Sequence, residues 1–207
     1  MDKEYWTSYY NNHKQPDAPS SFAIFVLDYM EKEQTLLELG CGNARDAIFF
    51  NKNGVDVTAI DQVNSEIQFL QDNYGSSHLR FIADDFTNIQ EVDSKFDYIY
   101  SRFTMHSITY EQEERTLNWI KNHLNKDGQL FIELRSVKDN LYKEGDFVNQ
   151  KEHAKITDHY RRFTEIDRFK KDLQKCGFDI VFDIESKGLA VYKNDDPVVI
   201  RIVARNN

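Results

Sequence analysis

Short apolar runs alternate with amphipathic stretches for most of the chain. Thr35 to Leu39, Asp56 to Ile60, Leu79 to Ala83, Phe96 to Tyr100 and Gln129 to Leu134 read as buried strands. Helical periodicity follows at Ala44 to Asn53, Ser65 to Asn73 and Glu111 to Leu124, with Gly54 and the turn Asn125 to Gly128 as stops. A further helix, Glu165 to Cys176, closes at Gly177, and strands follow at Phe178 to Ile184 and Val198 to Ala204. The link between those two strands, Glu185 to Pro197, carries no helical pattern, so the last strand is expected to run antiparallel. Upstream, residues 3–12 and Phe22 to Lys32 read as helices, the second capped by Ser20 or Ser21. The pattern predicts an α/β fold: a doubly wound, mostly parallel seven-stranded sheet with an antiparallel last strand. One domain is expected over 1–207, with an N-terminal helical lid at 1–33. An insertion at 135–163 breaks the alternation after the fifth strand.

The first strand ends in an acid and a glycine-spaced turn, Glu38-Leu39-Gly40-Cys41-Gly42-Asn43-Ala44-Arg45-Asp46. Gly40 and Gly42 allow a tight turn and close approach of a ligand to a helix N-terminus. Asp61, with Gln62 beside it, ends the second strand and suits ribose hydroxyls. Asp84 and Asp85 end the third, placed to meet an adenine amino group, with Phe86 able to pack on the ring. All lie at carboxyl ends of strands, where open α/β sheets bind ligands. The bland alternative is a tight loop and solvated strand ends. A dinucleotide-dependent oxidoreductase would normally carry G-x-G-x-x-G, but here the last position is Arg45.

On these residues the chain resembles the class I S-adenosylmethionine-dependent methyltransferases, over roughly 34–134 and more loosely to the end. The resemblance implies a Rossmann-like sheet in the order 3-2-1-4-5-7-6 and S-adenosyl-L-methionine as cofactor. It implies cofactor contacts from Glu38, Gly40, Gly42, Arg45, Asp61, Gln62, Asp84, Asp85, Phe86 and Ser101. Ala44 departs from the family pattern, where a third glycine is usual.

Composition narrows the acceptor. The formal net charge is -9, which disfavours nucleic acid, since phosphate neutralisation needs clustered Lys and Arg. No apolar run approaches a membrane span, and the N-terminus lacks a signal peptide's pattern, so a cytoplasmic location is expected. The two cysteines, Cys41 and Cys176, suggest no disulfide framework. No His follows Cys41 closely enough to activate it as a nucleophile. Asp97 and Asp127 make no convincing metal set, so no metal is expected.

The segment Ser101-Arg102-Phe103-Thr104-Met105-His106 follows the fourth strand. An alcohol acceptor needs its proton removed, and His106 is the first candidate base, with His159 the second; a core or capping histidine is the competing reading. The insertion adds Arg135, Tyr142, His153, Tyr160, Arg161 and Arg162, and Arg102 stands nearby, a cationic and aromatic set suited to an anionic acceptor. Alternatively Arg161 and Arg162 line a solvated helix face and pair with Glu165 or Asp158. Trp6, Tyr9 and Tyr10 are either core packing or a lid over the site. Tyr5 to Ala23, Ser101 to Phe103 with His106, His159 to Phe163 and Lys187 to Tyr192 resemble small bacterial methyltransferases encoded with capsule or surface-polysaccharide genes. That resemblance implies O-methylation of a small polar, anionic acceptor such as a sugar or phosphorylated glycan. Methylation of a metabolite nitrogen, or a cofactor-binding regulator without catalysis, are the alternatives.

Overall fold

The computed structural model describes residues 5–8, 15–157 and 159–207. Among them a seven-stranded sheet runs in the order β3-β2-β1-β4-β5-β10-β9, with β1 at Thr35–Leu39, β2 at Asp56–Asp61, β3 at Leu79–Ala83, β4 at Phe96–Arg102, β5 at Leu124–Arg135, β9 at Phe178–Ser186 and β10 at Val199–Asn206. β1 to β5 are parallel, while β10 pairs antiparallel with both β5 and β9. The sequence-derived order is therefore observed, with the antiparallel hairpin closing one edge.

Alternation along the strands builds two cores. Leu36, Val57, Tyr98, Tyr100 and Phe131 face α1 (Ser21–Leu27), α2 (Arg45–Lys52) and α3 (Asn64–Tyr74). Leu37, Leu39, Ile99, Leu130 and Ile132 face α4 (Tyr110–His123) and α5 (Ile166–Lys175). Helices on both faces leave the strand ends as the open edge. Thr109 and Gln112 form a reciprocal capping box that starts α4.

Three departures from the sequence expectation have local causes. Helix α1 stops at Leu27, not Lys32, because the Tyr29 and Met30 N–H groups donate to Val26 and Leu27 carbonyls in tight turns and Glu31 N–H donates to the Tyr98 hydroxyl. Strand β5 begins at Leu124, and the expected turn becomes an irregularity within it, with Asp127 at φ 63°. The insertion is not irregular: β6 (Asp146–Asn149), β7 (Ala154–Ile156) and β8 (Tyr160–Arg162) make a small antiparallel sheet. No helix among the described residues is long and apolar enough to cross a membrane.

Candidate functional site

The carboxyl ends of β1, β2, β4 and β5 surround a cavity of about 360 Å³, bordered by the turn after β1, by Trp6 and by the β9–β10 link. On one side the chain turns through Gly40, Gly42 and Ala44, with φ of 70°, 55° and 60°. Gly40 and Cys41 N–H groups both donate to the Ile60 carbonyl, at 2.9 and 3.0 Å. A Cβ on Gly40 would lie 2.4 Å from Thr104 Cγ2, so glycine is required there for packing as well as φ. Ala44 accepts the left-handed conformation with its methyl fully buried.

Asp61 organises this turn from β2. Its Oδ2 accepts the Gly42 N–H at 3.1 Å and its Oδ1 accepts the Val63 N–H at 3.0 Å. Gln62, Arg45 and Phe86 border the cavity beside it. Glu38 is buried on the cavity wall, and its Oε2 has no hydrogen-bond partner. Burial pushes the Glu38 carboxyl well above its ordinary range, and the neighbouring Asp46 carboxylate adds to this. Asp46 in turn is fixed by the Ser20 N–H, the Ser20 hydroxyl and the Tyr100 hydroxyl at 2.7–2.8 Å. An orphaned acid beside a second acid is a receptor for a cationic group. The deeply buried Cys41 thiol is pushed up by burial and by Asp61 and Glu38, which removes it as a nucleophile.

The other side of the cavity is cationic and aromatic. Phe103 holds φ 55°, an uncommon conformation for a bulky residue, and its N–H donates to the Glu133 carbonyl at 2.9 Å. The Arg102 guanidinium lies 4.4 Å from its ring and that of Arg135 lies 5.6 Å away. Buried Glu133 receives Arg102 Nε at 2.8 Å and Arg201 Nε at 2.6 Å. Arg201 also donates to the Ser21 hydroxyl and the Leu189 carbonyl, which ties α1 and the β9–β10 link to the sheet. Arg135 is held by Asp139 at 3.2 Å and Asp195 at 2.7 Å.

His106 sits in a single 3-10 turn, Met105–Ser107, whose Ser107 borders the cavity. Its ring lies 5.5 Å from Phe103, and its buried Nδ1 has no hydrogen-bond partner. Burial holds its pKa well below the usual value, reinforced by Arg161, Arg135, His159 and Arg162. His106 is thus not on the open cavity face but behind Phe103, neutral and unpartnered at Nδ1. His159 is buried under the N-terminal residues, its ring 4.3 Å from Tyr5 and 5.3 Å from Trp6.

Several expected site residues have other roles. Asp84 does not border the cavity: its Oδ1 accepts the Asp85 N–H, and its Oδ2 the Gln90 and Glu91 N–H groups. Asp85 likewise accepts the Thr87 N–H and hydroxyl. Both hold the β3–β4 loop that presents Phe86. Ser101 is fully buried and bonded to the Thr104 hydroxyl, so it braces the strand end. Arg162 is no surface cation: it lies on β8, 2% exposed, and pairs with buried Glu113. Arg161 lies on β8, not on a helix, and donates to the Thr157 hydroxyl beside a separate shallow cavity. Tyr142, in a 3-10 turn before the small sheet, bonds His153 Nδ1 at 2.6 Å, and His153 faces Glu165. Tyr160 is half-buried on β8, away from the main cavity. Tyr9 and Tyr10 fall outside the described residues. Conversely, Asp46, Phe103, Thr104, Tyr192 and Asp195 border the cavity although no motif assigned them a role; the first four lie in segments that the sequence pattern singles out, whereas Asp195 carried no signal. Cys41 and Cys176 are unpaired thiols, and no metal-binding cluster occurs among the described residues.

A family model described as "Methyltransferase domain" matches residues 11–182. An uncharacterized methyltransferase of Staphylococcus carnosus is 23% identical over 161 residues, 72% of each chain. Among solved structures, an S-adenosylmethionine-dependent methyltransferase of Methanosarcina mazei is similar with a TM-score of 0.76 at 17% identity, covering 88% of this chain and 96% of that one. A 1,6-didemethyltoxoflavin-N1-methyltransferase of Burkholderia thailandensis, solved with S-adenosylhomocysteine, has a TM-score of 0.69 at 17% identity, covering 90% and 76%. At these identities the structural likeness is one of fold.

Proposed function

Because this chain belongs to the methyltransferase-domain family and is an S-adenosylmethionine-dependent methyltransferase, we propose that it methylates an oxygen of a small, polar, anionic acceptor such as a sugar acid or phosphorylated glycan unit. The observation that carries this is the pair Arg102 and Arg135 flanking Phe103 on the cavity wall of a chain with net charge -9. Both guanidiniums are ion-paired within the protein, Arg102 to Glu133 and Arg135 to Asp139 and to exposed Asp195, so an anionic acceptor binds here by exchange for an exposed carboxylate rather than to free charge. The resemblance to capsule-linked enzymes suggests surface polysaccharide as the setting.

The glycine turn and its neighbours fit the cofactor. The turn at Gly40 packs too closely on Thr104 to admit a Cβ, Asp61 at the end of β2 would meet the ribose, and Glu38 would offer its unpartnered oxygen to a cationic amino group. S-adenosylmethionine supplies an electrophilic methyl group on a positively charged sulfur. The chain's own residues then orient and deprotonate. Arg135 and Arg102 hold the acceptor's anionic group and Trp6 excludes water, while His106, behind Phe103 and next to cavity-lining Ser107, takes the hydroxyl proton once the Phe103 ring moves aside.

Replacing Asp61 with Asn should weaken S-adenosylhomocysteine binding by about 10- to 100-fold, because hydrogen bonds to a charged acceptor contribute about 1.5–3 kcal/mol. Calorimetric titration checks this, and wild-type affinity would remove Asp61 from the cofactor set. Glu38 gives a pH prediction. Its raised pKa means that, as pH falls through that value, the carboxyl gains a proton and loses its attraction for a cation, so cofactor affinity falls. In the folded state the neutral form is favoured, so Glu38's contribution to stability is complete below its unfolded pKa and drains as pH rises through the folded one. Glu38→Gln should therefore raise the melting temperature of the cofactor-free protein at neutral pH and abolish that pH dependence of binding. A lowered melting temperature in this variant counts against it.

The acceptor class is tested by incubating labelled S-adenosylmethionine and enzyme with sugar acids, sugar phosphates and their uncharged counterparts. Label is expected in the anionic sugars, as a methyl ether by NMR. Transfer to lipid, protein or nucleic acid, or to a ring nitrogen, would overturn the reading.

A further inference from the structure

The β9–β10 link carries an aspartate that reaches back to the acceptor wall. The Tyr192 and Asp195 N–H and carbonyl groups bond each other reciprocally at 2.9 Å, which makes a tight loop with Lys193 at φ 53°. From this loop Asp195 Oδ2 accepts from Arg135 Nη2 at 2.7 Å, and both residues border the main cavity. The two carboxylates on Arg135 differ in kind. Asp139 is 3% exposed at its side chain and also accepts the Leu141 N–H at 2.8 Å, so it is built into the fold. Asp195 is 58% exposed at its side chain against 13% for Arg135. Asp195 is otherwise held through the loop backbone, and a solvated carboxylate on a loop contributes little to stability.

We propose that Asp195 is a built-in carboxylate occupying the acceptor's anion subsite on Arg135, and that the acceptor is a sugar carboxylate that must displace it. This deepens the proposed function and rests on its assignment of Arg135 to the acceptor. The resident ligand sets the class: Nη1 is committed to buried Asp139, and the exchangeable position at Nη2 already holds a carboxylate. Displacement releases the loop that carries Tyr192 from Arg135, so the latch also filters: an uncharged sugar has nothing to exchange for the ion pair and leaves it in place at the cavity border.

The test is titration of glucuronate, with glucose and inorganic phosphate as comparison probes, into the full-length protein saturated with S-adenosylhomocysteine. Asp195→Asn should bind glucuronate about three- to tenfold tighter than wild type, and Asp195→Glu should restore wild-type affinity. Arg135→Gln should bind none. Equal affinity in Asp195→Asn and wild type, with loss in Arg135→Gln, overturns the latch and leaves the Arg135 assignment standing. Undiminished binding in Arg135→Gln overturns that assignment and the latch with it. Glucose or phosphate binding as tightly as glucuronate, or no glucuronate binding by any form, overturns the carboxylate class.

Discussion

Replacing His106 with Asn should lower turnover by about 10²–10⁴-fold while changing S-adenosylhomocysteine affinity little. The magnitude is that of a positioned base removed from an alcohol's deprotonation. Asn keeps a polar, planar group of similar reach but offers no basic nitrogen. The 3-10 turn after β4 holds His106 behind Phe103 with its Nδ1 buried and unpartnered, so the role requires the Phe103 ring to move aside when the acceptor binds. A buried imidazole facing four cationic or titratable neighbours stays neutral to low pH, so the wild-type rate should be level through pH 6.5 and decline only well below it. The same depression has a stability consequence. The unfolded chain gains a proton at this residue near pH 6.5, while the folded one resists until lower pH. Its contribution is therefore complete above about 6.5 and is lost as pH falls through the folded pKa. His106→Asn should show less acid destabilisation than wild type. Unchanged turnover would transfer the role to His159, whose ring lies under Tyr5 and Trp6.

Arg162→Ala is expected to cost about 3–5 kcal/mol of stability, the penalty for leaving a buried charge with part of its partner set removed. Arg162 donates to the Ile108 carbonyl at 2.8 Å, to the Met105 carbonyl at 3.3 Å and to the Glu113 carboxylate. Glu113 would keep Arg168 at 2.6 Å, but Arg168 is the more exposed of the two arginines. The two carbonyls flank His106, so the ion pair docks the small sheet onto the turn that carries the candidate base. Denaturant unfolding measures the loss, and a double replacement, Arg162→Met with Glu113→Leu, should recover much of it because neither charge is then stranded. A raised acceptor KM with full stability would return Arg162 to the binding surface.

The strands were legible because their pattern is local. Runs such as Leu36 to Leu39 and Val57 to Ile60 are buried on both faces in a parallel sheet, so they read as continuous apolar segments whatever lies around them. The small sheet was not legible: β7 and β8 are three residues each, too short for any period, and Lys155 within β7 is buried by donating to the Tyr142 carbonyl. The cofactor turn was legible for a related reason. Gly40, Gly42 and Asp61 act through backbone conformation and strand-end position, which sequence spacing encodes.

The acceptor wall was only partly legible, and the arginines show why. Arg102, Arg135, Arg161 and Arg162 look alike as residue types, yet only the first two border the main cavity. Arg162 is internal because Glu113, a residue 49 positions away, meets it across the interface between α4 and β8. Asp84 and Asp85 likewise had the right position at a strand end, but the β3–β4 loop folds back and takes Asp84's two oxygens with its own N–H groups. Backbone turns and strand faces depend on neighbours in sequence, so the pattern of the chain marked the strands, the helices and the antiparallel last strand, while the sheet order and the methyl donor followed from the family resemblance of the glycine turn and strand-end acids. Which charge is neutralised, and by what, depends on desolvation and on partners far along the chain. Those pairings, and with them which arginines border the main cavity beside Phe103, were decided only when the strands and the two helical layers packed.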